Sequence, residues 1–274
     1  MRILVTNDDG VHAPGLAALV RALAPWADRA GHEVLVAAPL ANHSGASAAV
    51  GTVYEREAIG FRQVGIDGAE RVQVFGLDAP PALTVIVGAF GAFGPRPDLV
   101  VSGINLGVNV GRSVLHSGTV GAALTAAQHG LSALAVSMRS QPEHQWETTT
   151  RVTLAVLPVL ASAPARTVLS LNVPSVPFDQ LRGVVPGRIA DASVVQGARA
   201  ELAGPGAGTI RLTLGTAVPS LGDTIGEDPT DDAALIGAGY ATLTALHGVG
   251  EDRRDKSRQV LDLAVSAAGQ LLAP

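Results

Sequence analysis

Short apolar runs alternate with helical stretches from Arg2 onward, and this alternation leaves few folds open. Arg2-Ile3-Leu4-Val5-Thr6 is too short for a helix and suits a buried strand. After the turn HAPG, Leu16, Leu19, Val20 and Leu23 recur at helical spacing; Glu33 to Ala38 reads as a second strand, which Pro39 ends. Further strands are expected near Val72–Phe75, Asp98–Ser102, Ala133–Ser137 and Val168–Asn172, with helices near Pro81–Phe93, Thr119–His129 and Thr149–Ala161 between them. The pattern implies a three-layer, Rossmann-like α/β fold, in which a mainly parallel sheet carries helices on both faces. Its ligand site is expected beyond the carboxyl ends of the strands.

After Pro174 the rhythm changes. Val184 to Pro219 holds β-like runs, such as Ile210-Arg211-Leu212-Thr213-Leu214, around the glycine-rich AGPGAGT, and reads as a C-terminal β-hairpin arm. A strand at Ala241–Leu246 and a helix from about Arg253 to Leu272 follow. The expected division is an α/β core over 1–183, an oligomerisation arm over 184–219, and a strand and helix over 220–274 that return to the core.

Hydrophobic residues make up 47% of the 274 and charged residues 16%, enough for a large buried core and too apolar for disorder. With no cysteine, disulfides and thiolate metal sites are excluded. The net charge is −5 and Lys256 is the single lysine, so no basic stripe exists to bind a nucleic-acid duplex. Asp8 and Asp9 interrupt the apolar start, and no apolar run is long enough to span a bilayer, so a soluble cytoplasmic protein without membrane contact is expected.

The first strand ends in Asn7-Asp8-Asp9-Gly10. Side chains in a continuing strand would point to opposite faces, whereas a turn at Gly10 lets both carboxylates sit at the strand end. Two close carboxylates repel unless a proton or cation lies between them, and a hard ion such as Mg²⁺ or Mn²⁺ suits the pair. The same stretch also reads as a polar turn in which Asn7 or Asp8 caps a helix.

Two more loops bear on the choice. Asn42-His43-Ser44-Gly45-Ala46-Ser47 offers hydroxyl oxygens after the second strand, or is a solvated turn. Ser102 to Gly111 has spaced glycines that allow close approach, with Asn105 and Asn109 as neutral oxygen ligands or amide donors. Then His116-Ser117-Gly118-Thr119 opens a small-residue helix, whose N-terminus can bind a phosphate without lysine or can simply be capped by Ser117. Arg112 is a further source of charge; His116, with an unperturbed pKa near ~6.5, suits a general acid or a satisfied loop residue. His12 and His43 rank below it.

Together these stretches resemble the SurE family of survival-protein 5′-nucleotidases. The match covers MRILVTNDDGVHAPG, NHSGAS, RPDLVVSGINLGVNVG, HSGTVGAA, Leu171-Asn172-Val173-Pro174, and Thr230-Asp231 ahead of Gly239-Tyr240-Ala241-Thr242-Leu243-Thr244, nearly the whole chain. The resemblance implies one divalent metal ion per subunit, Mg²⁺ or Mn²⁺, on Asp8, Asp9, Ser44 and Asn105, with phosphate held by Asn109 and by Ser117, Gly118 and Thr119. It implies hydrolysis of nucleoside monophosphates, extending to 3′-nucleotides and short polyphosphate, in a homodimer or homotetramer built through a C-terminal arm. Three positions depart from the family pattern: Ala82 after Asp78-Ala79-Pro80-Pro81, Thr125 in place of an acidic residue, and Ala245 in place of proline. None is an implied metal ligand.

In the expected reaction Asp8, Asp9 and Asn105 are catalytic, with Asp8 either a base toward the attacking water or only a ligand. Three rival readings differ in what they require. A receiver-type signalling domain also begins with an acidic pair, but is much shorter and uses a lysine after a later strand. A dinucleotide-binding Rossmann domain needs a glycine-rich first turn where NDDG stands. A non-catalytic nucleotide-binding or scaffold protein would keep the fold without turnover.

Overall fold

The alternation closes into a nine-stranded mixed sheet in a computed structural model that describes residues 1–55, 57–191, 195–204, 207–214, 230–249 and 255–270. In chain order the elements are β1 (Arg2–Thr6), α1 (Pro14–Arg29), β2 (Glu33–Pro39), β3 (Phe61–Val64), β4 (Gln73–Leu77), α2 (Pro81–Ala89), β5 (Leu99–Leu106), α3 (Gly118–Gln128), β6 (Ser132–Met138), α4 (Trp146–Ala161) and β7 (Val168–Val173). There follow β8 (Val184–Pro186), β9 (Val195–Gly204), β10 (Ala207–Leu214), α5 (Asp232–Gly237), β11 (Ala241–Leu246) and α6 (Asp255–Gln270).

Strand order is β3-β4-β2-β1-β5-β6-β7-β11-β8, with β3 antiparallel to β4, β11 antiparallel to β7, and the other pairings parallel. The fully buried runs of β1 and β6 fit strands covered on both faces. On one face Leu16, Leu19, Val20 and Leu23 of α1 and Val152, Leu157 and Leu160 of α4 pack on Ile3, Val5, Val101 and Val136. On the other, α2 and the small-residue helix α3 pack on Leu4, Leu35, Val100 and Ala133. The three-layer α/β architecture is therefore present.

Four elements differ from expectation. β3, with the sequence FRQV and mostly exposed, lacks the apolar run that marks a buried strand, yet adds an antiparallel edge. β5 continues past Ser102 to Leu106 through a register irregularity between Ser102 and Asn105, so the Gly103 stretch is strand end rather than loop. Val184–Pro186, the first residues of the segment expected to form the arm, instead pair in parallel with β11 in the main sheet. α5, at six residues, is too short to show a helical period. The hairpin itself is β9 paired antiparallel with β10 as a separate two-stranded sheet. Its expected end at Pro219, part of the AGPGAGT turn, and the ends of the last helix at Arg253 and Leu272 lie outside the described residues.

Beyond β1 the chain runs outward through β2 and β4; it then returns to place β5 on β1's other side. The carboxyl ends of β1 and β5 thus flank the reversal of strand order, where open α/β sheets open a crevice.

Candidate active site

Gly10 turns the chain just past the carboxyl end of β1 with φ of +101°, a left-handed conformation that favours glycine. The buried Asn7 side chain closes this turn, donating to the Gly10 carbonyl at 2.9 Å. Asp8 is buried and Asp9 half-buried, so the pair sits at the strand end as the sequence predicts.

Asp8 is held from two sides. The Thr119 hydroxyl donates to its Oδ1 at 2.5 Å, and its backbone carbonyl accepts the His43 N–H at 2.7 Å. Gly118 lies against it so closely that a Cβ there would stand 2.8 Å from the Asp8 Cβ and 2.9 Å from Oδ2. Glycine at the first position of α3 is thus a packing requirement for bringing the helix N-terminus onto this carboxylate.

Asp9 accepts the Leu106 N–H at 3.3 Å. Burial, then the neighbouring Asp8 charge, push the Asp9 carboxyl above its ordinary value, against the opposing pull of the Leu106 N–H and the Ser44 hydroxyl. Ser44, exposed on the loop after β2, donates its backbone N–H to the Asn42 Oδ1 at 2.7 Å. Asn105, at the end of β5, donates Nδ2 to the Gly107 carbonyl at 2.6 Å, which leaves its Oδ1 as an acceptor.

At the start of α3 the Ser117 Oγ accepts the Val120 N–H at 3.1 Å, so its side chain is the helix cap. Gly118 and Thr119, the first helical residues, have N–H groups with no acceptor inside the helix. Asn109 donates Nδ2 to the Ser137 Oγ at 2.7 Å. Arg112 is committed elsewhere, donating through Nη2 to Asp191 at 2.6 Å on the surface. His12 and His116 are exposed and His43 is half-buried.

The protein-family model "Survival protein SurE" matches residues 3–196. This chain belongs to the SurE family. A 5′/3′-nucleotidase SurE from Cronobacter sakazakii is 38% identical over 254 residues, covering 90% of each chain. One from Klebsiella pneumoniae is 36% identical over 249 residues with the same coverage. The crystal structure of the SurE protein from Aquifex aeolicus superposes with a TM-score of 0.75 at 24% identity, covering 96% of this chain and all of that one, and so shares the fold.

The SurE family implies dependence on a divalent metal, and the residues fit one. Asp8, Asp9, Ser44 and Asn105 are all-oxygen donors of the kind hard cations prefer, and the mutual repulsion of the two carboxylates is what a cation would relieve. Among the described residues no third acidic residue or histidine joins them in a metal-holding group. A hard cation held there would meet two carboxylates and the neutral oxygens beside them.

Three residues to which the sequence assigns no role bond to the segment that carries Asn109 and Gly111. Asn172 of β7 accepts the Asn109 N–H on Oδ1 at 2.7 Å and donates Nδ2 to the Asn109 carbonyl at 3.0 Å. Ser137 of β6 receives the Asn109 side chain. Asp232, fully buried, accepts the Gly111 N–H at 3.2 Å and the Ala190 N–H at 3.0 Å. The available signal for the first two is a polar residue near the carboxyl end of a mainly apolar strand; Asp232 carries none beyond its place beside Asp231.

Proposed function

We propose that this chain is a divalent-metal-dependent phosphomonoesterase that releases phosphate from nucleoside monophosphates, a 5′-nucleotidase that also takes 3′-nucleotides and short polyphosphate. The observation that carries the reading is the meeting of the Asp8-Asp9 pair with the N-terminus of α3 and the end of β5 at the sheet's switch point. The relatives' printed name, 5′/3′-nucleotidase, agrees with that chemistry.

Asp8, Asp9, Ser44 and Asn105 would hold a single Mg²⁺ or Mn²⁺. When bound, the ion supplies Lewis acidity, offsetting phosphoryl charge and lowering the pKa of water. The chain's own part is to aim and to bind. Thr119 holds Asp8 through Oδ1, and the Leu106 N–H holds Asp9. The Gly118 and Thr119 N–H groups at the positive end of α3 would donate to the phosphoryl oxygens, and the Asn109 carboxamide would add a neutral donor. Because these groups are fixed before substrate arrives, little reorganisation accompanies charge development in the transition state. Ser117 contributes by capping the helix that presents those N–H groups.

The assembly reading is a homodimer or homotetramer joined through the β9–β10 hairpin, on which Ile210 and Leu212 are exposed apolar residues. Among the described residues no helix is long and apolar enough to cross a membrane; action in the cytoplasm is part of the proposed reading.

The test is phosphate release from 5′-AMP, 3′-AMP, a sugar phosphate and tripolyphosphate, with added Mn²⁺ or with chelator. Metal-dependent release, strongest from the nucleotides, is expected. Absence of release from every compound with Mn²⁺ present would refute the reading and favour a binding protein that keeps the fold.

A further inference from the structure

Four polar side chains form one row, at the carboxyl ends of β5, β6 and β7 and the amino end of the antiparallel β11. Asn105 of β5 is in register with Ser137 of β6, Ser137 with Asn172 of β7, and Asn172 with Thr242 of β11. Residues in register on adjacent strands share a face, so the row runs from an end of the proposed metal set into the sheet. Ser137 is 1% exposed and Asn172 is 0% exposed. A buried carboxamide is costly unless bonded, so its partners show what it is there to hold.

Both ends of the Asn172 amide go to the main chain of one residue, Asn109, and so to the two peptide groups that flank its Cα. Its Oδ1 accepts the Asn109 N–H at 2.7 Å, and its Nδ2 donates to the Asn109 carbonyl at 3.0 Å. A reciprocal pair of this kind fixes both the position and the tilt of the main chain, where one bond would leave a pivot. Ser137 then accepts one Nδ2 hydrogen of Asn109 at 2.7 Å. That bond sets the rotation of the carboxamide plane, and the second Nδ2 hydrogen remains for a ligand. Asp232 holds the next segment through the Gly111 N–H.

We infer that Asn172 and Ser137 are positioning residues that fix the backbone and the carboxamide of Asn109 so that its remaining amide hydrogen points at the phosphoryl group. This rests on the reading of Asn109 as a phosphate contact given above. Fixing the donor beforehand removes a rotational cost from substrate binding, so its loss appears in phosphate affinity. A merely structural role would instead lower stability and loosen the whole site, metal set included.

The experiment compares Ser137→Ala and Asn172→Asp with the parent in the presence of Mn²⁺. Ser137→Ala removes the acceptor with little change in volume. Asn172→Asp keeps the acceptor for the Asn109 N–H and replaces the donor with a second acceptor facing the Asn109 carbonyl. The readouts are KM for 5′-AMP, orthophosphate affinity by calorimetry, Mn²⁺ affinity without phosphate, and Tm. In Ser137→Ala, KM and the orthophosphate Kd should rise about threefold to tenfold, the worth of one hydrogen bond, while Mn²⁺ affinity and Tm stay near the parent. Asn172→Asp should shift both constants in the same direction and further. Parent-like phosphate constants in Ser137→Ala would overturn the inference, as would Mn²⁺ affinity falling in step with phosphate affinity. A parent that binds orthophosphate but hydrolyses nothing would refute the proposed reaction and leave the positioning measurable by calorimetry; a parent that binds no orthophosphate would refute both.

Discussion

The Thr119 hydroxyl is bonded to Oδ1 of Asp8, across 111 residues of chain. Thr119 is fully buried, its side chain is committed to the carboxylate, and its backbone N–H, in the first turn of the helix, has no acceptor inside the helix. The residue thereby joins the proposed metal site to the proposed phosphate site. Thr119→Val keeps the shape and removes the donor. Partners behind a metal ligand are typically worth about 10- to 100-fold in metal affinity or activity. Mn²⁺ affinity measured by calorimetry without phosphate should therefore fall by at least about tenfold. If the side chain acted on phosphate alone, that affinity would stay at the parent value.

Asp9→Asn should separate folding from chemistry. Burial and the Asp8 charge both disfavour the Asp9 carboxylate in the metal-free protein. An uncharged isostere should leave the metal-free Tm unchanged or higher. Stabilisation by Mn²⁺ should disappear, because it depends on binding to the folded state. Phosphate release should fall on the order of a thousandfold, in keeping with several kcal/mol of lost charge stabilisation. A variant with parent activity would contradict the proposed metal site.

Asp232 gives a pH signature away from the proposed metal site. Burial, the largest cause, and the neighbouring Asp231 charge raise its pKa, and the N–H groups of Ala190, Gly111 and Ala233 only partly offset this. A carboxyl whose folded pKa is raised keeps its proton longer in the folded state than in the unfolded one. Its contribution to stability is greatest below the unfolded value of about 3.9 and is lost as pH rises through the folded pKa. Asn at this position does not titrate. Asp232→Asn should then compare more favourably with the parent at pH 7 than at pH 4 in denaturant unfolding. The opposite trend would mean that the backbone donors outweigh burial.

The buried strands and the helices between them are legible because each covers its own face with a regular apolar period. That rule fails where stability comes from neighbours. β3 is an exposed edge whose FRQV carries no apolar run, and β8 is three residues held by β11. The Asp8-Asp9 pair and the Thr119 turn are visible as motifs, since adjacent carboxylates and a small-residue helix start are local features. The bond between them is not, because it depends on α3 packing beside β1. Asn172 and Ser137 fall in the same class: each is one of two polar residues in a mainly apolar strand, and only register across β6 and β7 reveals that both bond Asn109.

Gly118→Ala tests whether the approach of α3 to Asp8 is required for function. An added Cβ would lie 2.8 Å from the Asp8 Cβ, 2.9 Å from Oδ2 and 3.2 Å from Cγ. Asp8 has little room to yield, since Thr119 holds its carboxylate and the His43 N–H its backbone. The helix or the carboxylate must shift, at a cost of about 1–3 kcal/mol for overpacking. Either shift separates the groups that would share the metal ion and the phosphate, so Mn²⁺ affinity and phosphate release should both fall at least about tenfold, the loss expected when a ligand's support is disturbed. Gly60→Ala is the control, because a Cβ there meets nothing within 4 Å; its activity should match the parent. Parent-like metal affinity and turnover in Gly118→Ala would show that the site tolerates a wider spacing, and the close contact between α3 and Asp8 would then have no part in the chemistry.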